Sequence, residues 1–192
     1  MSELFTLKAT VRPKIGKRNA QLMRRQGQLP AIVYGYQKPV HAIGVELRVF
    51  LKLLHSKRFY IQPITLIIDE TSQQVLPRDV QFSPISDIPI HVDFLAIDEH
   101  MKIKVQIPCE FINHEKCPGL KRGGLLNVIR HSIDVTCLAT HIPPMITIDL
   151  SGFNITDSIH ISNVQLPEDV KPIITKRDFT IATISSPSGG GG

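Results

Sequence analysis

The chain has 192 residues, of which 42% are hydrophobic, 14 are proline and 12 are glycine. That length can bury the core of one large domain or two small ones, and the frequent breakers favour short strands over long helices. No run of about 18 apolar residues occurs, so no membrane helix is expected. The start Met1-Ser2-Glu3-Leu4-Phe5 lacks a basic head before an apolar stretch, so no secretory signal is expected either. The net charge is +5 and uneven: residues 1–97 hold 13 Lys/Arg against 7 Asp/Glu, and residues 98–192 hold 9 against 10. A basic half attracts polyanions, most commonly nucleic acid.

In chain order, Leu4 to Val11 alternates as a first strand, and Arg12-Pro13-Lys14-Ile15-Gly16 breaks it into a basic loop. Lys17 to Gln26 reads as a short helix, capped at or just before Asn19 and stopped by Gly27. Leu29 to Gly35 and Val40 to Val45 read as a hairpin across Tyr36 to Pro39. Glu46 to Lys57 is helical by the spacing of Leu47, Leu51 and Leu54. Strands follow at Ile61–Asp69 and Gln73–Phe82, around Glu70-Thr71-Ser72, and at Ile88–Leu95. This first part, 4–97, is a small sheet or barrel with two helices.

The pattern restarts near Ala96 to His100. Strands are expected at Met101–Ile107, Asn127–Ala139, Ile146–Asp149, Ser158–Ile161 and Phe179–Ile184, with no long helix after residue 58. Residues 98–184 therefore read as an all-β domain, and 185–192 as a flexible Ser/Gly tail. The loop Pro118-Gly119-Leu120-Lys121-Arg122-Gly123-Gly124 lacks the spacing of a phosphate-binding loop and reads as a basic β-turn, able to touch RNA or an acidic protein patch.

Chemistry-bearing residues concentrate between Leu4 and Val45. Lys8, Arg12, Lys14, Lys17, Arg18, Arg24, Arg25 and Lys38 stand there without a single Asp or Glu. An ordinary solvated helix mixes signs, because like charges one turn apart repel. Phosphate binding explains a one-sign cluster, since each contact releases condensed counterions; an idle basic surface is the bland account. On the helix, Lys17, Gln21 and Arg24 share a face, while Ala20 and Met23 can pack inward. Tyr34 either meets RNA or caps the core. His91 and Asp93 project from one strand face. That pair fits a surface ion pair, a nucleic-acid contact, or acid/base chemistry, although no nucleophile is placed beside it. Cys109, Cys117 and Cys137 are odd in number and form no C-x-x-C pair, so neither disulfides nor a metal site is expected.

Taken together, Gly16-Lys17, Arg24-Arg25-Gln26-Gly27 and Leu29 to Gly35 resemble one block of the bacterial large-subunit ribosomal protein twenty-five family. Arg78 to Pro84, His91-Val92-Asp93-Phe94, Gly119 to Asn127, Pro143-Pro144 and Leu166-Pro167-Glu168 follow in the family's order, over about residues 4–184. The match is to the long, two-domain form, the general stress protein CTC type. The resemblance implies a mainly β protein with a few short helices: a small N-terminal β-barrel with two helices, then an all-β C-terminal domain. It implies a non-catalytic ribosomal component, without cofactor, that docks on 5S rRNA. Arg12, Lys17, Arg24, Tyr34, Gln81, His91 and Asp93 are the contacts carried over by position, and Lys14, Arg18 and Arg25 complete the cationic set. The C-terminal domain would meet neighbouring ribosomal proteins or rRNA. No membrane or small-molecule substrate is implied, and the expected location is the bacterial cytoplasmic ribosome, ahead of a mitochondrial one. Gln21 and Leu22 stand where the family commonly has arginines, Arg18 where glycine is usual, and Phe82 and Ser83 where basic residues or histidine are common. The competing readings are a basic protein–protein adaptor and, more remotely, a hydrolase using His91 and Asp93.

Overall fold

A computed structural model describes residues 5–35, 38–56, 58–69, 71–98, 100–167, 169–174 and 178–186. Leu4, the loop positions Tyr36 and Gln37, Lys57, Glu70 and the tail 187–192 lie outside them, as do the side chains of Lys38 and Pro39. The chain is mainly β and divides into two compact units, Met1–Met101 and Lys102–Gly192.

The first unit contains β1 (Phe5–Val11), α1 (Lys17–Arg25), β2 (Gln28–Gly35), β3 (Lys38–Glu46), α2 (Leu47–Leu54), β4 (Ile64–Ile68), β5 (Thr71–Phe82) and β6 (Pro89–Ala96). The strands close into a barrel in the order β1-β3-β2-β6-β5-β4, sealed by parallel pairing of β1 with β4. Alternation dictates which side faces in. Leu7 and Ala9 of β1, Ala31 and Val33 of β2, Ile43 and Val45 of β3, and Val92 and Phe94 of β6 are buried, and their neighbours face out. The second helix lays Phe50 and Leu53 into this core. The Phe50 ring meets Phe59 edge-on at 5.4 Å and Phe94 at 6.5 Å. Burial of each such ring stabilises the fold by about 1.5–3 kcal/mol.

Several boundaries differ from the sequence expectation. The second helix stops at Leu54 rather than Lys57, and its buried face runs through Phe50 and Leu53 with Leu47 and Leu54 half-buried beside them. The fourth strand starts at Ile64, not Ile61. Phe59 and Ile61 are buried from a turn held by Phe59 N–H to Ser56 O and Ile61 N–H to Arg58 O. The first helix starts at Gly16 without a side-chain cap, with Asn19 already inside it. It ends, as expected, at Gly27, whose φ of 75° suits glycine.

The second unit contains β7 (Lys102–Ile112), a helical turn α3 (Pro118–Lys121), β8 (Leu125–Val128), β9 (Ser132–Leu138), β10 (Ile146–Asp149), β11 (Ser158–His160), β12 (Lys171–Pro172) and β13 (Thr180–Ser185). Its strands form two open sheets, β10-β7-β9-β12 and β11-β13-β8. The single strand expected over Asn127–Ala139 is two strands in different sheets. Ile129 and Arg130 both donate to Ile181 O, which turns the chain out of the first sheet before the second begins. The basic loop expected to be a β-turn contains α3, since Pro118 presets the first helical φ. Ser185, expected in the tail, is the last residue of β13.

Candidate nucleic-acid interface

The outer barrel face carries the predicted residues. The loop from Gly27 into β2 lays α1 against β2, with Met23 reaching Gly44 of β3. Gly44 of β3 makes this approach possible: a Cβ there would collide with Met23 Cε and sit 3.2 Å from Gln28 Oε1. With Ala20 and Met23 half-buried against the barrel, Lys17, Arg18, Gln21, Leu22, Arg24 and Arg25 are exposed. Lys17 and Arg24 stand roughly 10 Å apart along the helix, at 1.5 Å per residue.

The start of this helix works against its own electrostatics, although Arg24 and Arg25 in the last turn suit its negative end. Its N-terminus has no acidic residue and no side-chain cap, and Lys17 and Arg18 occupy the positive end of the macrodipole. Each such placement costs about 0.3–1 kcal/mol at an exposed site. Cations held at such a cost point to an external anion. Arg12 is half-buried beyond β1, fixed by Arg12 N–H to Ala42 O. Its Nε is closed off from solvent without a hydrogen-bond partner among the described residues. Lys14 is exposed in the adjoining loop.

From the helix the face continues onto three strands. Arg24 Nε donates to Ile90 O at 3.0 Å, tying the end of α1 to the start of β6. Next on β6, His91 Nδ1 lies 2.8 Å from Asp93 Oδ1, with the two side chains 24% and 26% exposed. Gln81 of β5 is the register partner of His91, and Asp79 the partner of Asp93, so these four side chains share the outer face. Across the parallel pair with β2, Ile32 aligns with Asp93 and Tyr34 with Leu95, leaving Tyr34 half-buried on the same side. The structure thus brings Arg24, Tyr34, Gln81, His91 and Asp93 onto one face. Arg12 and Lys14 lie at the other end of α1, where β1 ends.

Two members of the face were not singled out from sequence. Asp79 is exposed opposite Asp93. Tyr60 is 45% exposed, with its ring set edge-on to Phe59 at 5.1 Å. Burial, and secondarily the Asp79 carboxylate, pushes the Tyr60 phenol up, so it remains a donor. The signal for Asp79 was available, because Asp79-Val80-Gln81 mirrors His91-Val92-Asp93 as polar–Val–polar strands.

No cluster of three or more His, Cys, Asp or Glu able to hold a metal occurs among the described residues. Cys109, Cys117 and Cys137 are free. Burial pushes the Cys109 thiol up to about 11. No described helix is long and apolar enough to cross a membrane.

Comparison with known proteins agrees with this architecture. Residues 7–94 match the Ribosomal L25p family, and residues 102–188 match the domain described as "Ribosomal protein TL5, C-terminal domain". A large ribosomal subunit protein bL25 of Bartonella henselae is 47% identical over 188 residues, covering 98% of this chain and 91% of that protein. The bL25 of Mesorhizobium japonicum is 47% identical over 186 residues, covering 97% and 87%. That of Bartonella bacilliformis is 47% identical over 191 residues, covering 100% and 93%. The class these matches define is that of large-subunit ribosomal proteins, structural components of the translation apparatus and not enzymes. Within it, the chain belongs to the bL25 family, in the long form with a TL5-type C-terminal domain.

Proposed function

We propose that residues 4–97 form a domain that docks this protein on 5S rRNA in the large subunit of the bacterial cytoplasmic ribosome. The observation that carries this reading is the outer barrel face, where a helix of one charge sign adjoins a polar strip on β5 and β6. Arg12, Lys14, Lys17, Arg18, Arg24 and Arg25 neutralise phosphates and set the register. Tyr34, Gln81, His91 and Asp93 then act on groups between the phosphates. His91, held by Asp93, offers its other ring nitrogen to an acceptor, while Asp93 and Gln81 meet base amino groups and 2′-hydroxyls, which distinguish RNA from DNA. The remaining domain, 98–184, meets neighbouring ribosomal proteins or rRNA.

A salt titration of binding to purified 5S rRNA, with structured tRNA as competitor, tests the reading. Tight binding that resists the competitor is expected. The variant Lys17→Ala/Arg24→Ala should flatten the log–log salt dependence by about one unit per lost contact. Binding that tRNA removes equally well, or an unchanged slope, would leave a general basic surface in place of a 5S-specific one.

A further inference from the structure

The second unit holds a cationic feature outside the barrel face. Residues 113–124 carry Lys116, Lys121 and Arg122 against Glu115 alone, while the rest of 102–192 holds 6 Lys/Arg against 7 Asp/Glu. Lys121 and Arg122 are exposed at the end of α3 and form no ion pair among the described residues. Lys116 is exposed within the field of Asp149.

The turn is closed on itself and tied to Phe153. Gly119 N–H donates to Phe153 O at 2.9 Å, Lys121 N–H to Cys117 O at 3.1 Å, Arg122 N–H to Pro118 O at 3.2 Å, and Gly124 N–H to Gly119 O at 3.0 Å. Cys117 is fully buried, with its Sγ donating to Phe153 O at 3.3 Å. A Cβ on Gly119 would lie 2.7 Å from the backbone carbon of Asn154 and 2.9 Å from the Ile155 nitrogen, and one on Gly124 would lie 2.7 Å from Gly119 O. Both positions exclude any side chain. Gly123 crosses the tip at a φ of 87°, with open space around it. The chain therefore turns tightly and presents two consecutive cations on a rigid base.

We infer that the Lys121–Arg122 turn is a second RNA contact, through which the C-terminal domain grips the phosphate backbone of rRNA. Consecutive cations suit consecutive phosphates, and a rigid mount loses little entropy on binding. The tip carries no aromatic side chain, so it does not stack on bases and supplies position rather than sequence reading. RNA is favoured over an acidic protein because the turn lacks the aromatic anchors that mark protein hot spots. This contact is separate from the barrel face and stands whether or not that face selects 5S rRNA.

The test uses the full chain loaded on large subunits depleted of it, with a photo-crosslinking amino acid at the exposed position of Leu125, where the chain leaves the turn. Crosslinks to rRNA are expected, and Lys121→Glu/Arg122→Glu should abolish them. The same variant should flatten the salt dependence of subunit binding by about two units, while Lys121→Arg keeps both signals. None of these changes touches Gly119, Gly124 or Cys117, and a thermal melt matching the wild type would show that the turn remains folded. Crosslinks to a ribosomal protein, no crosslink at all, or an unchanged slope would each overturn the inference.

Discussion

β1 and β7 look alike in sequence, each alternating apolar with polar residues from its start, yet they end in different architectures. β1 is paired on both sides within a closed ring, whereas β7 lies in a four-stranded sheet with open edges. The difference lies in what fills the middle. The barrel encloses Phe50, Phe59 and Phe94, all buried, two of them supplied from α2 and the turn after it. In the second unit no phenylalanine is buried, and the core is mostly Ile and Val of its two sheets, such as Ile103, Ile107, Ile133, Ile148 and Ile181. A closed ring needs bulky side chains to reach native packing density, while β-branched residues suffice for thin sheets. One unit is thus filled by aromatic rings, and the other by Ile and Val, with a close backbone approach at Gly119 besides.

The largest effect should come from Phe50→Ala, which removes the central ring of the barrel. It should destabilise the first unit by about 3–5 kcal/mol. Hydrogen exchange should show lost protection on β1–β6 and little change on β7–β13; equal loss in both units would break the comparison. Gly119→Ala is its counterpart, forcing a methyl against backbone, and should cost the second unit about 1–3 kcal/mol. Unchanged protection there would mean that the turn has room to give. Lys17→Glu sharpens the contrast between stability and binding. Reversing an unfavourable charge at the helix start should stabilise the first unit by about 0.3–1 kcal/mol while weakening 5S rRNA binding, read from a melt and a titration on one sample. A gain in both would remove Lys17 from the interface.

The effect confined to alkaline pH concerns Cys109. Its folded thiol ionises near 11, above its ordinary value of 9.0. The unfolded chain therefore loses that proton first as pH rises, so the stabilising contribution is intact below pH 9 and lost progressively toward 11. Denaturation at pH 8 and pH 10.5 should show the second unit weakening, and Cys109→Ala should shrink that difference. A difference unaltered by the substitution would assign it to other groups.

Much of the fold was legible because period-2 alternation marks a half-buried strand directly, as in β1, β7 and β9. Failures occurred where long-range partners override local pattern. Nothing local tells Ile129 and Arg130 to share the Ile181 carbonyl, so one predicted strand became two. Ile61 looked like a strand residue because a buried turn and a buried strand are equally apolar. The cationic helix of the candidate site was legible from charge alone, and the His91–Asp93 pair from its i,i+2 spacing. The alignment of Asp79 with Asp93 and the Arg24–Ile90 tether were not, because they depend on the register of β5 against β6 and on where α1 lies.

In the ring, β6 is the last strand in sequence but sits in the middle of the face, between β2 and β5. The Arg24 tether to Ile90 spans 66 positions. A chain made from its N-terminus therefore exposes its cationic helix well before the strand that completes the surface. Until residues 89–96 leave the translating ribosome, that ribosome meets a nascent protein with full charge and no His91–Asp93 pair. On the proposed function, such a chain offers RNA its charge and none of the polar strip. The strand that finishes this face is thus the last piece of the barrel to be made, and the surface exists only once β6 slots between its neighbours.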